Sequence, residues 1–167
     1  MGTRRAARES ALRILYEIEF NDAGAEAALA RESAGEAAGR KSLEYAAWLI
    51  RGVSGRRDEI DGLIESTSAH WRIPRMAPID RNILRMAVFE MLEEPFLAPA
   101  IIINAAIEIA RRFSGDAAAQ FVNGVLDAVR KKLAAGADET KAKKSHGDKA
   151  AASPERAAGR GSSRTKK

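Results

Sequence analysis

Apolar residues recur at helical spacing along almost all of the first 133 residues, and this periodicity limits the possible folds more than any other feature. Three segments show it most clearly: residues 4–20, 42–67 and 76–93. Their apolar positions repeat every three to four residues, as they do on one face of an α-helix. No segment alternates apolar and polar residues between turn signals, which is the pattern typical of strands. The sequence therefore predicts an all-α fold of about six helices.

Prolines, glycines and capping residues mark where these helices end. Residues 23–39 are rich in alanine but contain glycines that weaken a helix, so they predict a short helix at most. Two prolines make residues 94–99 a loop. The apolar run 100–104 is compatible with a short strand, although no partner run exists for it. Asn104 is a candidate N-cap for the helix that follows.

The last predicted helix begins at Asp116, ends at about Leu133 and contains an internal turn signal, Asn123-Gly124. A glycine inside a helix costs about 1 kcal/mol relative to alanine, so its presence needs a reason. The sequence predicts that a second helix crosses closely at Gly124, while the Asn123 amide bonds to backbone groups of a neighbouring loop. A direct contact between Asn123 and a ligand is the alternative.

The chain carries a net charge of +5, and all of that excess lies after Leu133. Residues 134–167 hold nine Lys and Arg against four Asp and Glu, and they contain no Val, Ile, Leu, Met or aromatic residue. Such a segment cannot bury enough apolar surface to fold, so the sequence predicts a disordered basic tail. The tail either attracts polyanions without sequence discrimination or serves only as a solubilising extension.

The reactive groups that an enzyme needs are scarce in this chain. It has no Cys and only two histidines, and it lacks the spaced histidines, P-loop and G-x-S-x-G pattern of common catalytic sites. We therefore expect no catalytic residue, no metal site and no cofactor, with His70 packing beside Trp71 in a loop. No apolar run approaches the ~18 residues of a membrane span, and the start lacks a signal-peptide pattern, which favours the cytoplasm.

Arg4, Arg5 and Arg8 crowd the beginning of the first helix. Positive charge is unfavourable there, because the N-terminal end of a helix dipole is itself positive. Phosphate groups would explain the placement, since guanidinium groups bind phosphate oxygens through two parallel hydrogen bonds. Simple solvation at a frayed helix end explains it equally well. A binding module remains a better interpretation than an enzyme.

Three stretches stand out when they are read in order along the chain: RRAARESALRILYEIEF near the start, WRIPRMAPIDRNILRMAVFEML in the middle and INAAIEIARRFSGDAAAQFVNGVLDAV near the end. Together they resemble the NusB family of transcription antitermination factors over roughly residues 4–130. FVNGVLD is the most specific of the matches. The residues after about 133 lie outside the resemblance.

The resemblance implies two small helical bundles packed into one compact RNA-binding domain, residues 1–133, ahead of the tail at 134–167. It also implies a function. Family members bind boxA, a short single-stranded element of ribosomal RNA leader transcripts, together with a small-subunit ribosomal protein that acts as NusE. The complex joins RNA polymerase and suppresses premature termination. The family contains monomers and homodimers, so the resemblance leaves the oligomeric state open.

The resemblance also implies which residues contact RNA. The arginine-rich start of the family matches Arg4, Arg5 and Arg8, and its RNA-proximal phenylalanine matches Phe121. Gln120 precedes that phenylalanine at a position where many relatives carry Lys, so we expect it at the RNA edge with altered charge.

The ribosomal protein is expected to contact a different set of residues, Tyr16 and Asp80. Two further positions depart from the family pattern. Ala117 stands where many relatives have an acidic residue, and Ala105 stands where they often have Glu. The first of these departures alters the charge expected near the RNA.

Two other functions compete with antitermination. An RNA methyltransferase can carry this fold as its N-terminal domain, but the cofactor-binding domain of ~200 residues that such an enzyme needs is replaced here by the tail. A DNA-coating protein that uses the basic tail would lose binding when the tail is deleted, and duplex DNA would compete with RNA. We expect the antitermination factor.

Overall fold

The computed structural model describes residues 2–34, 39–67 and 69–150, and within them every regular element is helical. The α-helices are α1 (Thr3–Phe20), α2 (Ala25–Ala34), α3 (Arg40–Gly55), α4 (Arg57–Glu65), α5 (Pro78–Glu93), α6 (Pro99–Ser114) and α7 (Asp116–Ala150). A short 3-10 helix, Ile73–Arg75, precedes α5. The predicted all-α fold is confirmed.

The chain divides into two units, Met1–Leu133 and Ala134–Lys167. In the first unit, apolar side chains from all seven helices form one continuous core. In the second unit, the side chains of residues 134–144 are exposed.

Helix α5 lies at the centre of the first unit and contacts α1, α3, α4 and α6. Pro78 occupies its first turn, where the missing N–H costs no hydrogen bond, and Asp80 complements the helix dipole. Residues 82–90 of α5 are all buried, including three polar ones. Helices α1, α2 and α3 pack together on one side of α5, and α4 and α6 pack against it separately, as expected for two small bundles packed together.

Two helix boundaries differ from the sequence prediction. The apolar pattern of residues 42–67 predicts one helix, but the chain breaks at Arg56, whose φ of −121° and ψ of 25° are not helical. Gly55 weakens the helix at that point, and the apolar pattern stays in phase across the break. The run 100–104, a possible strand, is helical because α6 begins at Pro99, so Asn104 lies inside α6 and does not cap it.

Helix α7 is longer than predicted. The sequence places its end at about Leu133, whereas the structure continues the helix to Ala150. The residues after Leu133 lack large apolar side chains and therefore lack the surface that tertiary packing requires. Alanine and lysine nevertheless favour the helical conformation, and the extension of an existing helix requires no new nucleation. Residues 134–150 of the predicted disordered tail are therefore helical, and residues 151–167 lie outside the described residues.

Gly115 forms the sharp turn between α6 and α7. Its φ is +100°, in the region that L side chains rarely adopt. Its N–H donates to the carbonyl oxygens of Ala110 and Arg111, at 3.0 and 3.2 Å, and this ends α6.

The predicted close helix crossing at Gly124 is wrong. Asn123 and Gly124 both lie on the exposed face of α7, and a methyl group added at Gly124 would meet no atom within 4 Å. The glycine that does permit close packing is Gly52 in α3, where an added Cβ would lie only 1.9 to 2.4 Å from ring atoms of Phe89 on α5. The apolar stripe around residue 124 identifies a buried face of α7, but these two residues lie just outside it.

We expect alanine to have opposite effects at these two glycines. Gly124→Ala should raise the free energy of unfolding by up to ~1 kcal/mol, through helix propensity alone. Gly52→Ala should lower it by roughly 1–2 kcal/mol, because overpacking against the buried Phe89 ring costs more than propensity gains. Urea denaturation of the two variants measures both changes. Equal stability of the two variants would contradict the assignment of Gly52 as the packing glycine.

A cluster of charged side chains joins the end of α1 to α4 and α5. Glu19 of α1 accepts hydrogen bonds from Arg81 and, at 2.6 Å, from Arg85 of α5. Arg85 also binds both carboxylate oxygens of Asp61 on α4, at 2.7 and 2.8 Å. Burial alone would raise the pKa of Glu19, but the hydrogen bonds and charges of the two arginines outweigh it and lower that pKa.

This cluster predicts a loss of stability in acid. Because the pKa of Glu19 is lower in the folded protein, its ion pairs contribute fully to the free energy of unfolding above the unfolded pKa of about 4.3. This contribution is lost as the pH falls through the pKa of the folded protein. Glu19→Gln should be less stable than the wild type at neutral pH, and the two should converge on acidification. Denaturation at a series of pH values measures this. A constant difference between the two curves down to low pH would exclude Glu19 as the titrating group.

Candidate nucleic-acid interface

The start of α1 and one face of α6 enclose a groove of about 350 Å³. Its lining includes Arg4, Arg5, Asn104 and Glu108. Arg4 and Arg5 have half-exposed side chains, so two of the three arginines singled out in the sequence lie at an accessible surface. Ala105, where relatives often carry Glu, also lines this groove.

Both accessible arginines are already paired with carboxylates. Arg5 lies 3.5 Å from Glu9 in its own helix and 3.4 Å from Glu108 of α6. Arg4 lies 3.4 Å from Glu94, just after α5. These carboxylates offset the unfavourable position of positive charge at the start of α1. The pairs are long and solvent-accessible, so each is worth little and exchanges easily for another anion.

Two further arginines extend the basic edge along α6. Arg112 lies 2.7 Å from Glu9, and Arg111 lies 3.1 Å from Asp116 at the start of α7. Both arginine side chains are well exposed. These two arginines were not among the residues predicted from the sequence, although an Arg-Arg pair in the last turn of a predicted helix is a visible signal. They connect the groove to the first turns of α7.

Aromatic rings lie further along α7. Phe121 is half-buried and meets Trp71 edge to face, with ring centroids 5.8 Å apart. Gln120 is exposed beside it. Trp71, expected only to pack in a loop with His70, therefore contributes to the same surface as the predicted RNA residues Gln120 and Phe121.

Arg8 does not belong to the accessible edge. It touches the groove wall, but only 7% of its surface is exposed. Its guanidinium binds both oxygens of Glu90 on α5, at 2.8 to 3.1 Å. The Tyr45 hydroxyl of α3 donates to the same carboxylate. The charge count of the first turns therefore overstates the accessible positive charge by one.

The Arg8–Glu90 pair also perturbs its neighbours. Burial alone would lower the pKa of Arg8, but the hydrogen bond and charge of Glu90 raise it, so Arg8 stays charged. Burial raises the pKa of Tyr45, and its hydrogen bond to Glu90 raises it further. Tyr45 therefore remains a hydrogen-bond donor throughout the physiological pH range.

Tyr16 and Asp80, the predicted partner residues, lie where α1 ends and α5 begins. Tyr16 is exposed and packs against the exposed Phe20, with ring centroids 4.9 Å apart. The Glu19–Arg81 contact places this end of α1 beside the first turn of α5, which carries Asp80. One Asp80 carboxylate oxygen is buried and accepts no hydrogen bond from the described residues. An aromatic pair and an unsatisfied carboxylate therefore share one end of the molecule.

Within residues 2–34, 39–67 and 69–150, no group of three or more His, Asp or Glu is arranged to hold a metal ion. In those same ranges, no helix is long and apolar enough to span a bilayer.

Comparison with known proteins agrees with the fold and with the sequence resemblance. The model of the NusB family matches residues 5–131, more than three quarters of the chain. The chain belongs to the NusB family. Two relatives named transcription antitermination protein NusB come from Myxococcus xanthus and Desulforapulum autotrophicum. The first is 42% identical over 77% of this chain and 95% of its own length, and the second is 39% identical over 78% and 92%.

Solved structures of NusB proteins are similar as well. NusB of T. maritima has a TM-score of 0.69 and 33% identity, covering 77% of this chain and 90% of that one. A crystal structure of the antitermination factors NusB and NusE with double-stranded RNA contains a chain with a TM-score of 0.70 and 26% identity. That match covers 79% of this chain and 98% of the other.

The placement of the arginines predicts a separation of their roles in this NusB-family protein. Arg8→Gln should lower the free energy of unfolding by about 3–5 kcal/mol, because it leaves the buried Glu90 charge without its partner. Arg5→Gln should change it by less than about 1 kcal/mol, because its ion pairs are exposed to solvent. Guanidinium chloride denaturation distinguishes the two. Similar small losses for both variants would show that Arg8 is not a structural residue.

Proposed function

We propose that this NusB-family protein is an RNA-binding transcription antitermination factor. It binds boxA-type single-stranded RNA of ribosomal RNA leader transcripts together with a small-subunit ribosomal protein acting as NusE. The assembly acts on RNA polymerase in the cytoplasm and suppresses premature termination. Relatives named as antitermination proteins, and a similar structure that holds NusB, NusE and RNA, support this proposal.

The exposed arginines and the Phe121–Trp71 pair carry the proposal, and we infer that they form one edge running from the start of α1 across α6 to α7. Arg4 and Arg5 open it, Arg111 and Arg112 continue it, and the Phe121–Trp71 pair ends it. Cations that bind phosphates and aromatic rings that stack on bases are the two components of single-stranded nucleic-acid surfaces. Gln120 adds a neutral hydrogen-bonding group beside the ring.

This edge is electrically balanced, because its arginines already have carboxylate partners. RNA must therefore displace Glu9, Glu94, Glu108 and Asp116 from the guanidinium groups, and binding by this protein alone should be weak. A second protein that supplies contacts of its own would raise the affinity. The proposed ribosomal partner binds where the end of α1, with Tyr16, meets the start of α5, with Asp80.

RNA titrations with and without the ribosomal protein test the proposal. A boxA-like RNA should bind more tightly when the partner is present, by about 5- to 150-fold, which corresponds to a coupling of ~1–3 kcal/mol. Scrambled RNA of the same length should bind more weakly in both cases. Equal affinity with and without the partner would reject the coupling, and equal affinity for the scrambled RNA would reject boxA recognition.

A charge-matched pair of variants locates the RNA on the groove. Arg5→Gln should weaken binding and reduce the slope of log K against log salt by about 0.7, the value for one phosphate contact on a single strand. Arg51→Gln removes the same charge from an exposed pair with Glu26 and should leave both quantities unchanged. Identical effects of the two variants would mean that total charge, and not the groove, determines binding.

A further inference from the structure

Phe96, in the loop between α5 and α6, has a side chain that is 100% exposed. Neither the antitermination role nor packing accounts for it. A phenylalanine entirely in water loses the free energy that burial would give it, so a structured surface that presents one is informative. Phe96 exceeds the other exposed large apolar residues of the described chain, Tyr16, Phe20 and Ile101, in its exposed fraction.

The loop that carries Phe96 is held in place on both sides. The N–H of Glu94 donates to Glu90 at the end of α5, and the N–H of Leu97 donates back to the Glu94 carbonyl at 3.1 Å. Pro95 and Pro99 restrict the backbone on either side of the ring. This restraint reduces the backbone entropy that the loop loses when a ligand binds to it.

The same loop lies beside the RNA-binding edge proposed above. The Glu94 carboxylate pairs with Arg4 at 3.4 Å, and Phe96 follows only two residues later. Ile101, 54% exposed in the first turn of α6, lines the groove together with Arg4 and Arg5. Ile101 therefore lies at the end of the groove opposite Arg111 and Arg112, and Phe96 lies in the loop that leads into this end of α6.

The chemistry of this patch favours a nucleobase over another protein surface. Two apolar side chains bordered by charged residues fall short of the area that a stable protein interface buries. A single ring beside guanidinium groups is what a single-stranded RNA binder uses, because the cations hold the phosphates and the ring stacks on an unpaired base.

We propose that Phe96 is a base-stacking site for single-stranded RNA, with Ile101 as the apolar wall beside it and Arg4 as the adjoining phosphate contact. The bound RNA then extends beyond the start of α1, and an aromatic ring lies at each end of the basic edge. This inference rests on the proposed RNA-binding function.

The test uses the full chain and a boxA-like RNA carrying 2-aminopurine at successive positions. One position should change fluorescence on binding to the wild type and lose that change in Phe96→Ala and Phe96→Leu. Affinity should fall about 5- to 100-fold in both of these variants, as expected for one lost base stack. Phe96→Tyr should retain wild-type affinity and the fluorescence change. Thermal melts should be unchanged in all three variants, because the side chain is exposed.

Arg51→Gln is the control, because Arg51 is an exposed residue that pairs with Glu26 outside the proposed RNA site, and it should alter neither RNA affinity nor the fluorescence change. Full affinity in Phe96→Leu would overturn the stacking site, since leucine keeps the apolar contact without a ring. Unchanged affinity in Phe96→Ala, alongside clear wild-type binding, would overturn it while leaving the proposed function intact. Failure of the wild type to bind the RNA at all would overturn the proposed function and this inference together.

Discussion

The buried ion pair between Arg8 of α1 and Glu90 of α5 fixes the element on which both proposed binding surfaces depend. Glu90 is 1% exposed and has its charge compensated by the Arg8 guanidinium and the Tyr45 hydroxyl. A misplaced α1 would leave a carboxylate uncompensated in the core, which costs several kcal/mol. The Glu19 cluster secures the other end of the same helix. With both ends joined to α5, α1 has one register, and that register presents Arg4 and Arg5 at one end and Tyr16 at the other.

Helical periodicity was sufficient to predict the all-α fold, because core-facing apolar residues recur every three to four positions whatever the local caps and turns are. It could not predict which polar residues on the boundary of a face are buried. Arg8 and Gly124 show this in opposite directions: an arginine that looks like surface is buried against Glu90, and a glycine that looks like a packing device is exposed. The burial of Arg8 depends on Glu90, which lies opposite it in space but far away in sequence. For the same reason the role of Gly52 was not predicted.

The candidate site was predictable only in part. The family resemblance pointed to the start of α1 and to Phe121, and the structure leaves Arg4 and Arg5 accessible and Phe121 half-buried against Trp71. It could not give the carboxylates that pair with the arginines, since Glu94 and Glu108 approach from other helices. Trp71 and Phe96 were also missed. An aromatic residue in a loop has no periodic pattern to show whether it is buried, paired or exposed.

The pairing of the surface arginines affects the protein even when boxA is absent. Ribosomal RNA, messenger RNA and transfer RNA greatly outnumber the leader transcripts of any moment, and a strongly cationic patch would be occupied by them almost permanently. A patch whose guanidinium groups already have carboxylate neighbours exerts little long-range attraction on polyanions. Under the proposed function, such a patch gives up rapid electrostatic capture and favours the transcript that offers both bases to stack and a second protein to share.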